Sequence, residues 1–158
     1  MENPTIVLAS DHAGFTLKEA IKKHLMDSGR KVIDVGASQL TPEDDYPVYM
    51  SAAALKVAED MDGHTKAIIF GGSGQGEAIV ANRFPGVRAV VWYGGGAKDS
   101  ELDIIKLSRE HNDANVLSIG ARFVTEDETV KAIEKWLSTP FSNAENHARR
   151  IELIDSIE

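Results

Sequence analysis

The chain has 158 residues, a formal net charge of −8 and no cysteine; that length suits one ordinary domain, so residues 1–158 are read as a single unit. The acidic balance argues against a nucleic-acid or anionic-membrane partner, and the lack of cysteine removes disulfides, thiolate catalysis and thiolate metal sites. The histidines His12, His24, His64, His111 and His147 show no zinc-ligand spacing, so no metal is expected, and without a signal-peptide pattern or a bilayer-length apolar run the default location is cytoplasmic.

Thr5 to Ala9 is a short β-type run ending in the polar loop Ser10-Asp11-His12-Ala13-Gly14. Thr16-Leu17-Lys18-Glu19 has capping-box spacing and predicts a helix from there to about Ser28, with Gly29 as its stop. Lys31 to Val35 reads as a second strand and Gly36 to Tyr46 as an acidic loop; Pro47 suits the first turn of a helix over about Tyr46–Glu59. A third strand, Ala67 to Phe70, runs into four glycines within Gly71–Gly76, and Glu77 opens a helical segment. Gly86 to Trp92 supplies strand four, and the glycines after it lead into a polar connection, Ala97 to Asp103, read as mobile or lid-like. Ile104 to Glu110 is helical, His111 to Asn115 a turn, and Val116 to Ile119 strand five, with Gly120-Ala121-Arg122 directly after it. Thr125-Glu126-Asp127-Glu128 is a capping box for a helix to about Ser138, and Ser142-Asn143-Ala144-Glu145 caps a last helix with Ile151, Ile154 and Ile157 as an apolar stripe.

Strands separated by helical segments imply right-handed crossovers. The expected fold is α/β, a three-layer Rossmann-like sandwich with a five-stranded parallel sheet and an extra C-terminal helix. Ligands in such sheets bind outside the carboxyl ends of the strands, which places Asp11, His12, the glycine loop, Glu77 and Arg122 together. His111 and Asn112 precede strand five and fall on the opposite rim, so they join that site only if a second copy of the chain supplies them.

The glycine loop fits no common phosphate or hydrolase motif. Glu77-Ala78 stands where a P-loop needs Lys-Ser/Thr, Glu77 stands where the dinucleotide fingerprint needs its third glycine, and Gln75 stands where a nucleophile elbow around Ser73 needs glycine. An anion cradle remains, serving a phosphate or a developing oxyanion. A carboxylate beside a bound anion repels it, which suggests that Glu77 is a base working next to amides that stabilise the charge it creates. The alternative is a helix-start acid that complements the dipole.

The segments Ser10–Gly14, Asp44-Asp45-Tyr46-Pro47, Gly71–Glu77 with Ala81-Asn82, Ser108–Asp113 and Gly120-Ala121-Arg122 together resemble the ribose-5-phosphate isomerase B family, which includes the galactose-6-phosphate isomerase subunits. The resemblance spans nearly the whole chain. It implies an aldose–ketose isomerase of a pentose phosphate that uses no metal or other cofactor and passes through a cis-enediolate. It also implies a homodimer or dimer of dimers with active sites between subunits. One family branch places a cysteine base just before the glycine loop; Gly71 stands there, matching the branch in which a glutamate, here Glu77, takes over. The resemblance further implies an enediolate hole from Gly72, Ser73, Gly74, Gln75 and Gly76, ring opening by His111 with Asp11, and a hydroxyl contact from Asn112. Tyr46 falls near the sugar, and His12, Arg122 and Arg150 contact phosphate and substrate. Two departures stand out. Asn146 replaces the first of two arginines expected one helical turn apart, and Arg149 points about 100° away from Arg150, so it is a poor substitute. The connection from Trp92 to Ile105 also runs longer than usual. The alternatives are a different sugar phosphate as substrate and a non-catalytic sugar-phosphate-binding module.

Overall fold

A computed structural model of the chain describes residues 3–95 and 103–157. In chain order the elements are β1 (Thr5–Ser10), α1 (Phe15–Asp27), β2 (Val32–Asp34), α2 (Tyr46–Ala58), β3 (Thr65–Gly71), α3 (Gln75–Ala81), β4 (Ala89–Trp92), α4 (Ile104–Glu110), β5 (Val116–Gly120), α5 (Glu126–Ser138) and α6 (Glu145–Asp155). The strands form one five-stranded sheet in the order β2-β1-β3-β5-β4, and every neighbouring pair is parallel. The chain leaves β1 in one direction for β2 and returns on its other side as β3. The carboxyl ends of β1 and β3 therefore flank the switch point where open α/β sheets bind ligands.

The side-chain period of two divides the strands between two cores. Ile6, Leu8, Ile68, Phe70, Leu117 and Ile119 pack against Ile21 and Leu25 of α1, Ile105 of α4, and Ile133 and Trp136 of α5. On the other face Val7, Ala9, Ala67, Ile69 and Val116 pack against Met50, Ala53, Ala54 and Val57 of α2 and Ala81 of α3. Small alanines on α2 let that helix lie close to the sheet. The last helix, α6, buries no residue in either core, and Leu153, Ile154 and Ile157 at its end remain exposed. No helix among the described residues is long and apolar enough to cross a membrane.

Several boundaries differ from the sequence expectation for local reasons. The first helix is not capped by Thr16: it starts at Phe15 with Gly14 as its N-cap. Asp11 Oδ1 accepts the N–H groups of Ala13 (3.0 Å) and Gly14 (3.2 Å) and turns the chain earlier. Gly14 also lies against Phe70, whose Cβ would be 2.5 Å from any side chain there. Strand four begins at Ala89 because the Arg88 N–H donates to Asn115 Oδ1 at 2.8 Å instead of joining the ladder. Strand two is shorter than expected, Val32–Asp34. The Thr125 capping box is present with both of its hydrogen bonds. By contrast, Ala144 is the N-cap of α6; Ser142 Oγ accepts the Ala144 N–H (3.3 Å) and bonds His147 Nδ1 (2.9 Å). The lid-like reading of Ala97–Asp103 falls largely outside the described residues. Asp103 itself caps α4, its Oδ1 accepting the Ile105 N–H at 2.9 Å.

Candidate active site

The glycine loop is a tight junction between a buried strand and a two-turn helix. Gly74 takes φ +78°, a left-handed conformation that favours glycine, and its carbonyl accepts the Ser118 hydroxyl at 2.6 Å. The end of β5 is fastened to the same loop, since Ala121 N–H donates to Gly71 O (2.8 Å) and Arg122 N–H to Gly72 O (3.2 Å). Arg122 is thereby laid across Gly72, where an added Cβ would sit 3.3 Å from its guanidinium carbon. Tyr46, at the start of α2, covers Gly76 so closely that a Cβ there would lie 2.7 Å from the phenol oxygen.

These contacts enclose a cleft of 420 Å³ lined by Asp11, His12, Ala13, Tyr46, Gly72, Ser73, Gly76, Glu77, Arg122 and Phe123. Glu77, at the third position of α3, is only 4 % exposed. Its carboxylate fills the space that a side chain at Gly71 would need, and a methyl there would overlap the carboxyl group. Burial raises the Glu77 pKa above the usual carboxylate value; the negative charge of Asp11 adds to this, and the N–H groups of Glu77 itself and of Gly74 oppose it. An acid with a raised pKa, held in a cleft beside backbone amides, has the properties of a proton-transfer group.

Two loop residues expected at the ligand, Gly74 and Gln75, do not line the cleft. Gly74 is buried with its N–H on Glu77, and the Gln75 N–H donates to Ser73 Oγ at 3.3 Å. The cleft wall is therefore built from Gly72, Ser73 and Gly76, with the Ser73 hydroxyl hydrogen left to donate. Ala13 and Phe123 also line the cleft; their only sequence signal was adjacency to His12 and Arg122.

His12 is held from the loop after β2. Asp44 Oδ1 accepts the His12 backbone N–H at 2.8 Å and lies 2.8 Å from its ring Nδ1, whereas Asp11 Oδ2 lies 3.9 Å from that nitrogen. Asp11, His12 and Asp44 bring possible metal-ligand atoms within 4.8 Å of one another. Of these, Asp44 Oδ1 and His12 Nδ1 already share a hydrogen bond at 2.8 Å.

His111, Asn112 and Arg150 do not line the cleft. His111 ends α4 on the opposite rim and is exposed, as are Asn112 and Arg150. The His111 ring stacks on His147 of α6, with centroids 4.2 Å apart. Arg88, just ahead of β4, is an internal brace whose side chain is 16 % exposed. Its Nε donates to the carbonyls of Asn112 (3.0 Å) and Asp113 (3.2 Å), Nη2 to Asp113 Oδ2 (3.2 Å) and Nη1 to Asp155 Oδ2 (3.4 Å).

Comparison with known proteins agrees with this geometry. Residues 6–154 match the family model described as Ribose/Galactose Isomerase. The chain is 40 % identical over 154 residues to ribose-5-phosphate isomerase B of Mycolicibacterium paratuberculosis, covering 97 % of this chain and 91 % of that one. It is also 40 % identical over 156 residues to ribose-5-phosphate isomerase B of Escherichia coli, covering 97 % and 95 %. The crystal structure of the Mycoplasma genitalium ribose-5-phosphate isomerase B with bound ribulose-5-phosphate superposes with a TM-score of 0.87 at 35 % identity, covering 98 % of this chain and 96 % of that one. The chain belongs to the ribose/galactose isomerase family. It is an aldose–ketose isomerase.

Proposed function

We propose that the chain interconverts ribose 5-phosphate and ribulose 5-phosphate through a cis-enediolate, with Glu77 as the base. The observation that carries this reading is the buried Glu77 carboxylate, which faces the cleft from the space left by Gly71. In the open-chain aldose, Glu77 takes the C2 proton while the C2–H electron pair forms the C1=C2 bond and negative charge moves onto O1. The amides of Gly72 and Gly76 and the Ser73 hydroxyl stabilise that charge. Glu77 then returns its proton to C1. The O2 hydroxyl proton passes to O1 as the carbonyl forms at C2, so atoms and charge balance. Burial, with the negative charge of Asp11 adding to it, keeps Glu77 more basic than an ordinary carboxylate.

His12 and Arg122 meet the phosphate end from within the chain, Arg122 offering a forked donor to its oxygens. His111, Asn112 and Arg150 come from a second copy in a homodimer or dimer of dimers. His111 then opens the sugar ring by proton transfer together with Asp11 of the facing chain, and Asn112 contacts a hydroxyl. The exposed apolar end of α6 supports this assembly, and the intracellular nature of sugar phosphates supports a cytoplasmic location. Asn146 in place of an arginine favours a second reading for substrate identity alone: a different sugar phosphate with a lighter phosphate grip.

Exchange of the substrate C2 proton with solvent deuterium tests the core of the proposal. Wild type should catalyse exchange and turnover with ribose 5-phosphate, while Glu77→Gln should bind but do neither. If wild type exchanges no proton in any pentose or hexose phosphate, the isomerase assignment for this cleft is wrong.

A further inference from the structure

Asp44 has no part in the proton transfers above, yet it makes the shortest polar contacts to a cleft side chain. Its side chain is 8 % exposed, and one oxygen accepts the backbone N–H of His12 at 2.8 Å and lies 2.8 Å from the ring Nδ1. Asp11 is the nearer residue in sequence but stands 3.9 Å from the same nitrogen, beyond hydrogen-bond range.

The loop that carries Asp44 is itself anchored. Lys18 is fully buried, and its ammonium donates to Ala37 O (3.0 Å), Asp34 Oδ2 (2.5 Å) and Glu19 Oε1 (2.8 Å). Ala37 N–H donates to Ser10 O at 3.1 Å, one residue before Asp11. Gly36 lets this backbone ride over β1, since a Cβ there would lie 2.5 Å from Ser10 N. The start of the loop is thus docked on the end of the strand that delivers His12.

A carboxylate only accepts hydrogen bonds, so the imidazole nitrogen facing it must carry the proton. Which nitrogen of a histidine is protonated is set by the partner of the other. We propose that Asp44 is a positioning residue: it holds the His12 ring in one rotamer with Nδ1–H on its carboxylate, so that Nε2 faces the anionic end of the substrate, takes up the proton of the phosphate monoanion and then donates Nε2–H to the resulting dianion. The substrate part of this inference rests on the proposed role of His12; the tautomer part does not. A free imidazole side chain favours the Nε2–H form, so Asp44 reverses the default.

The test uses the assembled full-length enzyme with Asp44→Ala and Asp44→Asn. Long-range proton–nitrogen NMR of the ring nitrogens, with His12 assigned by His12→Gln, should show Nδ1–H in wild type and a predominantly Nε2–H ring in Asp44→Ala. Asp44→Asn keeps an acceptor oxygen and should keep the Nδ1–H form. The KM for sugar phosphate and the inhibition constant for inorganic phosphate should both rise about tenfold in Asp44→Ala, the scale of one lost charge-assisted contact, with kcat little changed. Asp44→Asn should recover part of that loss. An unchanged tautomer in Asp44→Ala, or an Nε2–H ring in Asp44→Asn, overturns the proposal, as does a fall in kcat at constant KM. If Asp44→Ala fails to fold, Asp44→Asn decides alone through its tautomer. A wild type without turnover would refute the isomerase role and leave the NMR result standing.

Discussion

The two rims of the sheet treat their polar residues in opposite ways. At the carboxyl rim Asp11 and Glu77 are buried, and each works against fixed partners: Asp11 caps two backbone N–H groups and Glu77 sits among loop amides. At the amino rim His111, Asn112 and Arg150 are exposed, and the groups behind them are more enclosed: Arg88 is half-buried and Arg109 is buried, the latter bonded to Asp113 Oδ1 at 2.7 Å and Ala114 O at 2.6 Å. One rim holds a cleft lined by buried acids; the other is a braced platform with its polar groups facing outward. Burying an ionisable group perturbs its chemistry, so a proton-transfer residue gains from it. A residue meant to reach another molecule must stay accessible.

The largest expected effect concerns the carboxyl rim. Glu77→Gln should lower kcat by about 10²–10⁴-fold, the usual contribution of a positioned acid–base group. The same change should stabilise the fold at neutral pH. Because the folded-state pKa of Glu77 is raised, the stability it contributes is complete below the unfolded value and is lost as pH rises through the folded value. Removing the charge relieves that loss, expected at about 1 kcal/mol or roughly 2–4 °C in Tm. Thermal melts of the two proteins at pH 5 and pH 8 should differ more at the higher pH.

Subunit mixing tests whether the two rims meet between chains. His111→Ala should be nearly inactive by itself. If the two rims meet between chains, refolding it with an equal amount of Glu77→Gln restores about a quarter of wild-type activity, because half the random dimers carry one intact site. No recovery after verified exchange would place His111 and Glu77 in separate functions. The pH–rate profile should show kcat/KM falling as pH drops through the raised Glu77 value, at a higher pH than an ordinary carboxylate would give.

Smaller effects sharpen the picture. Gly71→Ala should displace the Glu77 carboxylate and lower kcat about 10–10²-fold with little change in Tm, since the overlapping atoms end a flexible side chain. Arg88→Met should release the Asn112–Asp113 turn and α6 together, costing about 1–3 kcal/mol of stability. Asn146→Arg should lower the KM for phosphorylated sugars severalfold, a change on the scale of one exposed ion pair; unchanged affinity would show that α6 has no need of a second arginine.

Much of this was legible before any coordinates. The apolar runs in Thr5–Ala9 and Ala67–Phe70, the capping box at Thr125 and the helix-starting Pro47 are local signals read by local forces, and they lead to the parallel sheet and its carboxyl-rim cleft. The start of α1 was not legible, because the Asp11 turn and the contact between Gly14 and Phe70 override a well-spaced Thr16-x-x-Glu19 pattern. Nor was the orientation of Gly74 and Gln75, which depends on how a glycine in the left-handed region sends successive N–H groups to Glu77 and to Ser73.

The sequence by itself determined which chemical groups exist and roughly which rim each occupies, because the alternation of strands and helices that makes the sheet parallel follows from patterns a few residues long. It supplied Glu77 without a cysteine rival and a glycine where the base needs room. Only the tertiary structure decided that the carboxylate enters that room, that Asp44 holds His12 from 32 residues away, and that Arg88 is a brace instead of a surface charge. Those outcomes are contacts between segments distant in sequence, where shape and hydrogen-bond geometry select the partner, and no local periodicity encodes them.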